Sequence, residues 1–194
     1  MLYTQGNMLL VGTIIPAREL GMLLASDKIS KAVVSVSGPI TQTLFPEVCA
    51  LRCEAPQTAR RYLRLSFFWS GLMGFTAAIA LWGLAPWIIL IALGPGYADT
   101  VPLLRVLCFV IPFLVCNFVL GTQILVPFGQ EKALVRVLMG IGIVSLPIVA
   151  LVATFMGVRG AAYMPVCVEG SIFCLLSFCV YRYCPEALFT QGGR

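Results

Sequence analysis

The chain has 194 residues, 60% of them hydrophobic and 11% charged, with a formal net charge of +5 and a mean hydropathy of +0.97. A water-soluble domain carries about 45–50% apolar and about 25% charged residues, so an ordinary soluble fold is excluded and the excess apolar surface must face lipid. The small positive charge is spread among connections, which suits contact with an anionic leaflet and gives no sign of nucleic-acid binding.

Crossing a hydrocarbon core of about 30 Å takes about 20 mostly apolar residues, so charge-free runs locate the spans. Met1 to Ala17 is free of charge and predicts a partial helix over 1–16. It lacks the basic start of a signal peptide, and Gln5 and Asn7 interrupt it. Next comes a charged stretch with Arg18, Glu19, Asp27, Lys28 and Lys31. It reads either as a cationic patch at the outer end of a cavity, meeting a phosphate or sugar acid, or as a solvated loop whose charges pair locally. Local pairing is the simpler account. Ala32 to Pro46 is charge-free and reaches spanning length with its flanks, predicting a helix over 28–51.

Arg52, Arg60, Arg61 and Arg64, opposed by Glu54, form the strongest basic cluster. Basic residues in short loops favour the cytoplasmic side, and alternation then sets the remaining connections. Thr58 suits a helix cap there. Leu65 to Ala98 predicts a span over 65–93, followed by an external Gly94-Pro95-Gly96-Tyr97 turn with Asp99. Val106 to Gln130 predicts a span over 102–127, with Arg105 snorkelling at its mouth. Glu131, Lys132 and Arg136 mark an internal loop. Val137 to Val158 predicts a span over 136–156. Gly157 to Gly160 is an external turn, and a span over 161–181 leads to a cytoplasmic C-terminus. The expected fold is all-α: a polytopic transmembrane helix bundle of about six helices, the first cut short.

Within the spans, Glu169 is the one charge well inside an apolar run. An ionised carboxylate in lipid is costly, so it tends to face a cavity or a partner. Glu169 either carries a coupling ion or is structural, and no partner stands beside it in sequence. Gln5, Asn7, Thr41, Gln42, Thr43, Asn117, Thr122 and Gln123 mark inward faces, lining a polar passage or bonding between helices. Pro39, Pro86, Pro112, Pro127 and Pro147 predict kinks. Gly71, Gly74, Gly140 and Gly142 allow close helix approach. Eight cysteines and no histidine are present. Cys49 and Cys53 are four apart. Cys108, Cys116, Cys167, Cys174 and Cys179 fall inside spans, so no metal site is expected.

The order of short passages resembles the C-terminal half of the polysaccharide transporter family, the O-antigen and exopolysaccharide flippases of the multidrug/oligosaccharidyl-lipid/polysaccharide exporter superfamily. The passages are Leu20-Gly21 with Ala25-Ser26-Asp27-Lys28-Ile29, then Gly38-Pro39-Ile40 leading to Leu44-Phe45-Pro46. Leu93-Gly94-Pro95-Gly96-Tyr97 and Val101-Pro102-Leu103-Leu104-Arg105 follow, then Gly121 through Phe128-Gly129-Gln130 and Lys132. Gly157 with Gly160-Ala161-Ala162 closes the series.

The resemblance implies one lobe of a two-lobe exporter that flips an undecaprenyl-linked oligosaccharide across the bacterial inner membrane by alternating access. Family members have two such lobes, so the N-terminal lobe is expected as a missing partner, and the chain is expected to be an incomplete fragment. The other partners are membrane lipids and the lipid-linked sugar. Basic residues would meet its pyrophosphate, with Arg18, Lys28 and Lys31 the nearest candidates, and Glu169 is the candidate for ion coupling. An ion gradient would drive the step, since no P-loop is present, and no cofactor is expected. The alternatives are a multidrug-type cation antiporter of the same superfamily or a membrane enzyme of glycan assembly.

Overall fold

The computed structural model describes the backbone of residues 2–54 and 56–184, and the side chains of 6–35, 58 and 61–184. The side chains of Gln5, Pro39, Thr41, Gln42, Thr43, Cys49, Arg52, Cys53, Glu54 and Arg60 lie outside the described residues, as does the tail beyond Cys184.

Among the described residues every regular element is helical. Helix α1 is Leu2–Ile14, α2 is Ala17–Glu54 and α3 is Pro56–Leu93. A 3-10 turn, Pro95–Thr100, leads into α4, Val101–Leu107, and α5, Val110–Phe118. A π-helical stretch, Val119–Leu125, continues α5, and α6 spans Glu131–Tyr183.

Three breaks shape the bundle, and each has a local cause. At Pro16 the first helix stops and α2 begins at Ala17, well before the expected start at residue 28. Residues 17–27 are therefore helical rather than a loop. Glu19 stands in the first turn, where a carboxylate complements the helix dipole. Between α4 and α5 the axis bends by 41°. Pro112 has no N–H to give the Cys108 carbonyl, and the Ile111 N–H donates to it instead at 3.1 Å. At Gly157 the backbone takes φ 60° and ψ −149°, a region essentially reserved for glycine. The chain reverses there, so α6 is a hairpin of two arms, 131–156 and 158–183. Pro147 and Pro165 remain inside those arms.

Close approach is concentrated where α3 meets α5. A Cβ on Gly74 would stand 2.9 Å from the Pro112 Cα, so glycine is required for these backbones to touch. Gly140, expected to serve the same purpose, instead faces open space.

Packing divides into two clusters. Ala78, Leu81, Ala85 and Ile89 of α3 meet Leu104, Cys108 and Ile111 of the bent leg. Val11, Leu23, Leu120, Ile124, Ile172 and Leu176 join α1, α2, the π stretch and the second arm of α6. Outside these, Phe68, Phe75, Trp87, Ile91 and Phe155 point outward and exposed. A continuous apolar exterior of this kind marks contact with another apolar phase. Arg61–Leu93 and Glu131–Tyr183 are long and apolar enough to cross a membrane, and the bent pair Pro95–Leu107 and Val110–Leu125 passes the same test together. The protein is an all-α, polytopic bundle.

Candidate functional site

Two groups of polar side chains stand out among the described residues, a charged mouth and a buried seam. The mouth lies where three turns meet at one end of the bundle: the start of α2, the start of α4 and the reversal in α6. It is a cavity of 660 Å³ walled by Arg18, Glu19, Asp99, Arg159 and Tyr163 over an apolar floor that includes Met22 and Leu103. That volume is in the range of small-ligand sites. Arg18, Asp99 and Arg159 are exposed. No ion pair among the described residues ties up either guanidinium.

The seam runs through the interior. Ser66 of α3 donates to Gln123 Oε1 of the π stretch at 2.8 Å, and Gln123 is fully buried. Asn7 of α1 donates to Ser145 Oγ of α6 at 3.1 Å. Asn117 of α5 reaches the second arm of α6, donating through Nδ2 to Glu169 Oε2 at 2.9 Å and to the Glu169 carbonyl at 3.0 Å. Glu169 is 3% exposed. A cavity of 20 Å³, about the size of one water molecule, lies between Asn7, Val149, Pro165 and Glu169. The Asn117 Oδ1 is buried with no hydrogen-bond partner. The seam thus holds one buried carboxyl group, bonded to an amide, beside a small void.

The expected binding residues do not form one cluster. Arg18 lines the mouth, but Lys28 and Lys31 lie ten and thirteen residues further along α2, about 15–20 Å down its axis. Lys28 is exposed. Lys31 pairs with the largely buried Asp27 at 2.6 Å, four residues before it. In their place the fold brings Arg159 to Arg18, a partner 141 residues away that sequence spacing does not reveal. Arg105 stacks on Trp82 with its guanidinium carbon 4.7 Å from the ring centroid. Of the expected inward polar residues, Asn117 and Gln123 are buried, and Asn7 and Thr122 are half-buried.

The profile of a family described as "Polysaccharide biosynthesis protein" matches residues 1–102. The chain belongs to that family. A curated protein of Escherichia coli (strain K12), described as a "Putative O-antigen transporter", is 25% identical over 162 residues. The match covers 83% of this chain and 39% of that relative, so the chain spans well under half of its length. No solved structure matches the chain. The family profile covers α1 to α3, the 3-10 turn and the first residues of α4, including Arg18 and Asp99 of the mouth. Together with the apolar helices, membership in this family makes the protein a multi-pass membrane protein of polysaccharide biosynthesis.

Proposed function

We propose that this family member acts as one lobe of a transporter that moves a lipid-linked oligosaccharide across the bacterial inner membrane, as part of O-antigen or related glycan export, and that it is not an enzyme. The observation that carries the reading is the similarity to the relative described as an O-antigen transporter, extending over most of this chain. The layout supports it, with an open charged mouth at one end and a buried polar seam between the helices.

In this reading the mouth faces the periplasm. The Arg61 and Arg64 end and the C-terminus face the cytoplasm, in line with the distribution of basic residues. Arg18, now joined by Arg159, meets the anionic phosphate or sugar acid. Lys28 offers a second contact lower on α2, while Lys31 is held by Asp27. Glu169 couples transport to the ion gradient, with Asn117 holding its carboxyl group in place. Alternating access arises as this lobe rocks against a second lobe of related topology. These 194 residues would then not transport by themselves.

Complementation of a flippase-deficient strain tests the assignment. The expected result is surface polysaccharide only when the chain is supplied with the upstream half of a related full-length transporter. Restoration by this chain alone would show the one-lobe reading to be wrong, and failure of both arms despite normal membrane abundance would sink the transport reading. In the active combination, Glu169→Gln keeps the shape and the acceptor for Asn117. It should leave abundance unchanged and abolish export, whereas retained export would show that Glu169 does not couple.

A further inference from the structure

The two arms of α6 are separated on one side by a groove of 680 Å³ that takes no part in the mouth or the transport reading. Its walls are apolar: Val137, Ile141 and Val144 on the first arm, Met164, Val168 and Leu175 on the second. Gly140 opens its floor, since a Cβ added there meets nothing within 4 Å. The groove is asymmetric in charge. Arg136 lines one end, and no other charged residue lines it.

Helical register extends that charge. Lys132 lies one turn before Arg136, on the same face, and Arg182 lies two turns beyond Leu175 along the second arm's groove stripe. All three are exposed, with Glu131 the one carboxylate among the described residues of that end. No described carboxylate forms an ion pair with any of them. From Arg136 to Ile148 the lining extends along twelve residues, or about 18 Å. One leaflet of a roughly 30 Å core is about 15 Å deep. The groove therefore has a cationic end at headgroup level and an apolar slot as deep as a single leaflet.

We infer that the groove between the arms of α6 is a binding site for one anionic phospholipid, its phosphate held at Arg136, Lys132 and Arg182 and one acyl chain lying between the arms. The shape excludes a sugar headgroup, because Ser145 and Ser171 are its only polar wall residues below Arg136. Charge sets the headgroup class, since each cation near the surface favours an anionic lipid. The occupant wedges the hairpin open along its length, where Gly157 alone joins the arms by backbone. This inference stands apart from the transport reading, and lipid retention rather than export reports on it.

The test is native mass spectrometry of the purified chain in detergent, with dioleoyl phosphatidylglycerol and dioleoyl phosphatidylcholine added in equal amounts. Phosphatidylglycerol should be retained at least about fivefold over phosphatidylcholine, and Arg136→Ala should lower its retention about fivefold. Gly140→Leu fills the floor with a better helix former and should reduce retention of both lipids. Equal retention of the two lipids, or no change in either variant, overturns the site. Displacement of phosphatidylglycerol by equimolar undecaprenyl phosphate would assign the groove to the substrate's tail and also overturn it. A second readout leaves Arg136 and Gly140 unchanged. Cys167 lines the groove and is exposed. In a chain keeping only that cysteine, maleimide labelling should slow several-fold when phosphatidylglycerol is added to the micelles, and an unchanged rate counts against the site.

Discussion

The mouth and the seam solve opposite problems with the same kinds of residue. At the mouth Arg18, Glu19, Asp99 and Arg159 stand around an open cavity, where water satisfies each charge and no partner within the protein is needed. In the seam Asn117, Gln123 and Glu169 are shut away and Asn7 half-buried, and helices distant in sequence supply partners. The difference teaches where sensitivity to substitution lies. A polar group with water at hand can be lost with little consequence for folding, whereas one in a dry niche leaves its partner stranded.

The sharpest way to break this contrast is Glu169→Ala, which removes the carboxylate acceptor of Asn117, keeps the backbone one, and leaves a void beside an existing one. It should destabilise the purified protein by about 2–3 kcal/mol, read from thermal unfolding in detergent. A stability equal to the parent's would mean that the seam is wet. Next in size, Ser66→Ala deletes the donor to Gln123 while keeping the helix intact. Interhelical hydrogen bonds in membranes average about 0.6 kcal/mol and reach about 2 kcal/mol, so a loss near 1 kcal/mol is expected on the same assay.

At the mouth, Arg18→Ala and Arg159→Ala should leave unfolding unchanged while each lowers export in the two-part complementation. A fall in stability comparable to that of Ser66→Ala would make these arginines structural. Labelling draws the contrast most finely. In a background with the native cysteines replaced, Arg18→Cys and Arg159→Cys should both react with a membrane-impermeant maleimide added from the same side of intact cells, and Glu169→Cys should not react. Labelling of Arg18→Cys and Arg159→Cys from opposite sides would dissolve the mouth as a single site.

How much of this was legible beforehand follows from the range of each interaction. Local signals were readable, because apolar runs, prolines and glycines act on their own neighbourhood. Gly157 and Pro112 both break helices, and the long apolar runs announce the helices of the described residues. The misplaced start of α2 has a physical reason as well. Charges at residues 18–31 suggested a loop, yet spaced at i and i+4, Asp27 and Lys31 stabilise a helix rather than interrupt it. Glu169 stood out as a buried charge, but its partner Asn117 is 52 residues distant and on another helix. No periodicity announces such a pairing. The same holds for Arg159 opposite Arg18. The π stretch left no readable mark, since Val119 to Leu125 has the composition of any apolar helix.

That π stretch bears on chain length. The Val126 N–H donates to the Gly121 carbonyl at 3.1 Å, five residues back instead of four, so the leg carries one residue more than an α-helix needs to span the same rise. The bulge takes up that residue between two fixed ends: Asn117 above, bonded to Glu169, and Pro127 below, in the turn. Deleting Thr122 alone, which is half-buried and next to the buried Gln123, would return the leg to plain α-helical winding with both ends still in register. A one-residue change of length at this point is therefore one the lobe can absorb without moving its other helices.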